Sequence, residues 1–546
     1  MKRMLAMLVT GMIVIMSVTG CGSTEKSAAE IESIQPQETK AMQEKPASSE
    51  EADDDFTEKI SFSTTFFSAD NAWKEDEMYK ALAEKFNVDI DFVGISWDNW
   101  SEKNRLWINS GDMPDVMFWD LNYQEYMDYA DQGLIRALPD DLDKKYPNIS
   151  HALKTTGVAE YLAEKNGGTL YTIPRAVNPF VETGNSADSF SFVYRKDWAR
   201  QLGIEFDSVV SLEELLNLAE QFVQKDPGGN GAGKTIGFSG DPSRTCLGFL
   251  SPYNSNYGRF YKNEEGVYVS GMMEESTLEG VKALWRNYQD KLIDPNFFSN
   301  KLEDGLNKFY SGLSGISIEN LTPQNYDQVI TKFQEANPEL DAKEAVGICA
   351  VTGADNKVHG YVADNYWSAI LFRPDLDNKT MDRILRMMDY IASEEGVYFV
   401  NLGFEGKDYK LENGEPVMIR GANENGEIPV TASLYPSSEY FRFMTTCADG
   451  FSYISPSIPG YIREEAAGML DKKEKAGTNL AANDLYIKFF DGPEFIMYST
   501  NVDTIATEVI LEAKSEEDVE RLWNQKMVSL EEKTNKVLNE LNAGIS

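Results

Sequence analysis

"DVMFWDLNYQEYMDYADQGLIRAL", residues 115–138, reads as a strand running into a helix. "DVMFWD" is an apolar strand, and "YQEYMDYADQG" is a helix closed by Gly133. The same alternation continues upstream. "KISFSTTFF" (59–67) reads as a strand, and "KEDEMYKALAEKFN" (74–87) sets Met78, Ala81, Leu82 and Phe86 at helical spacing. "VDIDFVGI" (88–95) alternates Val88, Ile90 and Phe92 as a strand, and "NWSEKNRLWINSG" (99–111) is a helix stopped by Gly111. Three strand–helix pairs in succession predict an α/β layer on a largely parallel sheet. Downstream, "SLEELLNLAEQFVQK" opens with a capping box of Ser211 and Glu214. "STLEGVKALWRNYQDKL" and "MDRILRMMDYIASEEG" read as helices, "GISIEN" as a strand, and the last hundred residues as mostly helical. No internal repeat is visible.

The first residues carry an address. Lys2 and Arg3 precede an uncharged stretch from Met4 to Gly20, which reads as a signal peptide over 1–20. It ends in "VTGC", so Cys21 follows a small residue as in a bacterial lipobox. Cys21 is the expected lipidation point, and acyl chains there would hold the protein on the outer face of the cell membrane. Residues 22–58 are rich in Glu, Ser, Ala and Gln with few large apolar residues, so they read as a disordered acidic tether.

"GGNGAGKT" (228–235) fits the phosphate-loop pattern G-x-x-x-x-G-K-[ST] through Gly228, Gly233, Lys234 and Thr235. A phosphate loop needs a strand before it and a helix after it. Here a predicted helix and Pro227 precede it, and the strand-like "TIGFSG" follows. The order is inverted, so the stretch is read as a helix-to-strand turn that uses glycine for positive φ.

Composition excludes several classes. The formal net charge is −38, which disfavours nucleic acid as a partner. Beyond Cys21 only Cys246, Cys349 and Cys447 remain, widely spaced, so no disulfide framework or zinc site is expected and buried free thiols are the preferred reading. His151 and His359 are the only histidines, so no H-E-x-x-H motif or histidine cluster is possible, and neither a catalytic zinc site nor a cofactor is expected. The body is long enough for two or three cores.

Seven motifs occur in a fixed order: "SGDMPDVMFWDLNYQEYMDYADQGLIRAL", "GTLYTIPR", "YRKDWARQLGI", "KDPGGNGAGKTIGFSG", "LIDPNF", "KFYSGLSGI" and "SEEGVYFVNLGFEGKDY". Together they resemble the family 1 extracellular solute-binding proteins, the lipoprotein type that serves carbohydrate ABC transporters. The resemblance covers roughly residues 60–420. It implies a two-lobed periplasmic-binding-protein-like α/β fold of class II type, with discontinuous lobes and a ligand cleft between them. The N-terminal lobe would comprise 59–176 and 366–435, and the C-terminal lobe 177–365 and 436–546. Crossings are expected just after "YTIPRAV", near "VADNYWSAI" and near "SLYPSSEY". The implied function is capture of an oligosaccharide by hinge closure and delivery to permease subunits, by a monomer with no enzymatic activity. The resemblance also likens "DPGGNG" to a calcium loop. Asp226 and Asn230 remain, but Gly228 and Lys234 stand where acidic oxygens are wanted, so a loop without calcium is expected.

Sugar recognition combines aromatic faces with planar groups that hydrogen-bond hydroxyls. By the resemblance Trp119 is a stacking candidate, with sheet core as its alternative, and Asp120 and Asn122 are hydroxyl partners. "FSGDPSRT" offers Asp241 and Arg244, and "SIENLT" offers Glu319 and Asn320 without the tryptophan familiar there. Arg175 points near the cleft or pairs with a surface carboxylate. Trp367 is a contact near the second crossing or a hinge-packing residue. Trp97 and Trp100 are core or rim. Two rival classes share these features: a secreted carbohydrate-active enzyme, and a sugar sensor or adhesin on the same fold. A hydrolase needs two carboxylates at a set separation, which 89 acidic residues neither establish nor exclude.

Overall fold

The computed structural model describes residues 57–65, 72–96, 99–119, 123–177, 188–421, 428–445 and 449–544. The leader, Cys21, residues 22–56 of the tether and Cys447 lie outside them; the expected tether ends too late, because Glu58 already opens the first strand. Strand β1 (Glu58–Thr64) runs parallel to β2 (Val88–Gly94), with Phe62 opposite Phe92, and parallel to β3 (Val116–Trp119) on its other side. The helix Glu77–Phe86 joins β1 to β2. Asp76 caps its start by accepting the Tyr79 N–H, and Asn87 ends it in the left-handed region. Strand β4 (Ile173–Ala176) completes this first pass.

The chain then builds a second lobe. It contributes β5 (Phe190–Arg195), β6 (Val209–Ser211), β7 (Ile236–Phe238), a hairpin of β8 (Phe260–Lys262) and β9 (Tyr268–Ser270), β10 (Ser314–Asn320), β11 (Val346–Thr352) and β12 (Val358–Tyr361). Strand β13 (Tyr366–Phe372) returns to the first sheet, antiparallel between β3 and β4. A hairpin of β14 (Tyr409–Glu412) and β15 (Glu415–Met418) follows, and β16 (Thr478–Ala481) rejoins the second sheet beside β12. The strand orders are β2-β1-β3-β13-β4 in one lobe and β16-β12-β11-β5-β10-β7 in the other, with β6 on β11.

Each sheet has its own core. Ile60, Phe62, Ile90, Phe92 and Val116 pack with Met381, Ile384, Leu385 and Met388 of the helix Asn378–Ala392. In the second lobe Phe192, Phe222, Phe238, Phe249 and Ile316 pack with Val509 and Trp523 of the C-terminal helices. Burying such side chains stabilises each lobe by about 1.5–3 kcal/mol apiece before the entropy of ordering is counted. Cys246 and Cys349 are buried free thiols, and burial pushes both pKa values up.

Three passages join the lobes. The first runs from β4 to β5, and the second is the short link 362–365 between β12 and β13. They are tied at both ends: the Val177 N–H donates to the Asn365 carbonyl at 3.1 Å, and the Asp188 N–H to the Tyr361 carbonyl at 3.0 Å. The third lies later than the motif near 433–440 implied. Tyr440, Phe441 and Met444 are buried in the first lobe, where the Tyr440 ring stacks 4.6 Å from Phe92. The chain has reached the other lobe at the helix Gly460–Ala476, which buries Ile462 and Met469 there. The boundary therefore falls between 445 and 459 rather than at 435–436, because the apolar residues after Pro436 fill the first core. Lys473 of that helix is buried beside the start of β5. Its ammonium donates to the carbonyls of Asp188 (3.0 Å) and Phe190 (2.5 Å), and burial lowers its pKa.

A further segment touches both lobes without ending in either. After β16 the turn Leu485–Lys488 reaches back to the first lobe. There Phe489 is 1% exposed and packs 5.4 Å from Tyr161, in the cluster that holds Trp119. Lys488 pairs with Asp364 of the second passage at 2.5 Å, while Tyr486 stacks 5.6 Å from Tyr268 of the second-lobe hairpin. The chain then returns to the second lobe through the helix Val502–Glu512.

Candidate functional site

In sheets of this type ligands favour the crevice beyond the carboxyl ends of the parallel strands. At those ends the two lobes present different chemistry.

The first lobe presents rings. Trp367, at the start of antiparallel β13, is 39% exposed. Phe118 lies 5.5 Å from it and Trp100 6.3 Å, and Trp100 stacks on Phe118 at 5.0 Å. The exposure of Trp367 has a backbone cause. The register of β13 against β4 shifts between Tyr366 and Ala369, and Ser368 sits at φ 59. A bulge with a non-glycine residue in the left-handed region re-aims the neighbouring side chain and costs on the order of 1–3 kcal/mol. Arg175 lies beneath this wall, wholly buried. It donates to the Ser368 hydroxyl at 2.8 Å, and its guanidinium carbon is 4.9 Å from the Phe118 ring and 4.7 Å from Phe443. Arg175 is thus closed off from the cleft. It braces the aromatic wall and bonds the residue in the strained conformation.

Trp119 is corrected outright. It is 0% exposed, lies 6.3 Å from Tyr129, and is packed with Met117, Tyr126 and Leu371. All four residues of β3 are buried, so the sheet-core alternative holds and Trp119 offers no face to a ligand. Asp120, Asn122 and Trp97 lie outside the described residues.

The second lobe presents charged hydrogen-bonding groups. Asp241 follows β7 and caps the helix Pro242–Leu250, accepting the Ser243 N–H. Arg244, one turn in, bonds both carboxylate oxygens of Glu319 (2.6 and 2.8 Å) at the end of β10, and lies 3.5 Å from Asp241. These three expected residues form one cluster. Asn320 adjoins it, with its carbonyl accepting from the Asn325 side chain. Residues not anticipated from sequence complete the wall. The phenol of Tyr361, the last residue of β12, is pushed up by burial and also feels Asp188, Arg259 and Arg244. Arg259 is exposed and lies 5.2 Å over that ring. Behind Asp241, burial raises the carboxyl of Asp503 to about 6, with the Asp241 charge adding to the rise. A tyrosine closing a strand just before a crossing is a signal that sequence could have offered. Asp503, 262 positions from Asp241, gave none.

The glycine loop stands elsewhere. It precedes β7, at the end of the strand away from Asp241, between the helix Leu212–Lys225 and the strand. The Asp226 carboxylate accepts the N–H groups of Asn230 (2.9 Å) and Gly231 (2.8 Å) and the Thr235 hydroxyl (2.5 Å), which hold its pKa low. A calcium ion does not fit this loop. Both oxygens of Asp226 already accept internal donors, and a Cβ at residue 228 would meet Trp198 at 2.6 Å, so no acidic side chain can be seated there without a shift. Among the described residues no cluster of His, Cys, Asp or Glu is arranged to hold a metal ion.

Comparison with known proteins agrees with this architecture. The model of the bacterial extracellular solute-binding proteins matches residues 71–397. The fructooligosaccharide ABC transporter substrate-binding protein FusA of Streptococcus pneumoniae serotype 4 is 26% identical over 234 residues, 41% of this chain and 43% of FusA. The match thus spans less than half of that relative's length. Lipoprotein LipO of Bacillus subtilis is 22% identical over 382 residues, 66% of this chain and 70% of LipO. Among solved structures the alginate-binding protein AlgQ2 superposes with a TM-score of 0.64 at 17% identity, covering 90% of this chain and 98% of AlgQ2. FusA in complex with kestose superposes with a TM-score of 0.63 at 17% identity, covering 89% of this chain and 98% of FusA. At these identities the structural likeness establishes the fold.

Proposed function

Since the chain belongs to the bacterial extracellular solute-binding protein family, we propose that it captures an oligosaccharide between its lobes and delivers it to the permease of an ABC transporter. The observation that carries this is the pairing of an aromatic wall around Trp367 with a hydrogen-bonding wall around Asp241, Arg244 and Glu319, both at strand ends beside the passages. A sugar ring has an apolar C–H face and a hydroxyl edge, and this division suits both. Closure about the passages would bury the ligand, and the transporter would read the closed form. Binding alone accomplishes this, so no bond in the ligand changes. The lipid on Cys21 and the tether after it would keep the body at the outer membrane face, within on the order of 120 Å if fully extended.

The test is calorimetry of the purified full chain with a panel of defined oligosaccharides, followed by product analysis after long incubation. Saturable binding with the sugar recovered intact is expected. Shortened sugars would move the protein to the enzyme class. For the anchor, Cys21→Ala should release the protein from the membrane fraction or leave its leader uncut; unchanged membrane association and processing would refute it.

A further inference from the structure

We infer that the captured oligosaccharide is uncharged, and that the site discriminates against uronates. This rests on the capture reading and narrows its ligand class. The fold alone does not decide the charge of a ligand. A uronate oligomer carries a carboxylate on each sugar, and drawing an unpaired charge out of water costs several kcal/mol. A cleft that takes such a ligand must keep cations without internal partners.

The cations beside the two walls and the passages can be followed one by one. The segments 66–71, 97–98, 120–122, 178–187, 422–427 and 446–448, outside the described residues, contain no Lys or Arg. On the charged wall Arg244 is neutralised by Glu319 and Asp241. At the second passage Lys488 is neutralised by Asp364. Arg175, under the aromatic wall, is wholly buried and bonded to Ser368, so it presents no charge to the cleft. Arg442, which lies 5.2 Å over Phe443 of the same wall, pairs with Glu439 at 3.0 Å. Arg259 differs: it is exposed over Tyr361 and has no ion pair among the described residues. Lys103 and Arg463 have no ion pair there either, but each is half-buried and donates to a backbone carbonyl, of Gly94 at 2.9 Å and of Ile458 at 3.1 Å. A single exposed guanidinium suits hydroxyl oxygens as a hydrogen-bond fork, but it cannot match a carboxylate on every sugar. The cluster of Asp241, Arg244 and Glu319 sets one cation between two carboxylates, so its net charge is negative and repels acidic sugars. The formal charge of −38 adds repulsion at long range, weakened by salt.

The discriminating experiment is calorimetry of the purified full chain against two length-matched sets. One holds neutral fructo-, gluco-, manno- and xylo-oligosaccharides; the other holds galacturonate and mannuronate oligomers. Each is run at about 50 and about 500 mM salt. A neutral sugar should saturate the protein with a Kd that salt changes by less than about twofold, while every uronate binds at least about a hundredfold more weakly. A uronate that binds as tightly as the best neutral sugar, with affinity falling as salt rises, overturns the neutral class and leaves capture standing. Silence in both sets overturns capture and the neutral class together. Glu319→Gln removes one of the two carboxylates, leaves Arg244 facing Asp241 alone at 3.5 Å, and should raise uronate affinity about tenfold. An unchanged gap between the two sets in that variant would refute the compensation argument.

Discussion

The two walls of the cleft are held in place by different means. The aromatic wall is set by backbone geometry: a bulge and the left-handed Ser368 turn Trp367 outward, and a buried arginine bonds that serine from beneath. The charged wall is set by side chains: Asp241 caps a helix, Arg244 rises from its first turn, and Glu319 receives it from a neighbouring strand. Losing one ring from the first wall leaves its scaffold standing. Losing one partner from the second leaves the others uncompensated. The first wall should therefore tolerate trimming of its exposed ring without loss of stability, whereas affinity and local order are coupled in the second.

The sharpest break is within the aromatic side itself. Trp119→Ala removes a wholly buried ring and should destabilise the first lobe by about 3–5 kcal/mol, read as a lowered denaturant midpoint. Trp367→Ala should leave that midpoint unchanged and weaken oligosaccharide binding by about 2 kcal/mol, roughly thirtyfold, by calorimetry. If Trp119→Ala instead lost affinity at full stability, the assignment of the two tryptophans would be reversed.

The charged wall gives smaller effects. Arg244→Met leaves Glu319 and Asp241 facing each other without their cation. Affinity should fall about tenfold, near 1.4 kcal/mol, with a drop in melting temperature that Trp367→Ala does not show. Equal melting temperatures for the two variants would erase the contrast between the walls.

Asp503 reports on the same wall through pH. Its folded pKa of about 6 lies above the ordinary 3.8, so between those values the folded state holds its proton more tightly than the unfolded state. Stability from this group is present below about pH 4 and lost as pH rises through about 6. Asp503→Asn should therefore stabilise the protein at pH 7 by about 1 kcal/mol and flatten the stability profile between pH 4 and 6. The smallest effect expected is none at all. Chelator or added calcium should leave the melting temperature where it is, because Asp226 already bonds Asn230, Gly231 and Thr235. A calcium-dependent rise would refute the metal-free loop.

The strand–helix alternation of 58–131 was legible because its apolar residues repeat at the periods of helix and strand, and the inverted flanks of the glycine loop were legible from Pro227 and "TIGFSG". The cluster of Asp241, Arg244 and Glu319 could also be named in advance, through the likeness of "FSGDPSRT" to a contact loop of the family and the place of Glu319 at a strand end. The choice between Trp119 and Trp367 could not be made from pattern. A strand buried on both faces gives no alternation, and the bulge that exposes Trp367 turns on the φ of Ser368, which no periodicity encodes. The third passage was misplaced for a related reason: Tyr440, Phe441 and Met444 are apolar, and apolarity does not say which of two cores will receive them.

The turn around Phe489 bears on the mechanics of opening. Three covalent passages set the axis about which the lobes swing, but this turn, rooted in one lobe at Tyr486 and seated in the other at Phe489, adds a stop. An excursion that withdraws Phe489 from its seat returns a phenylalanine ring to water at about 1.5–3 kcal/mol, and also parts Lys488 from Asp364. Small rotations leave the seat occupied and large ones do not. If the lobes swing, the Phe489 seat and the Lys488–Asp364 pair would together resist wide opening.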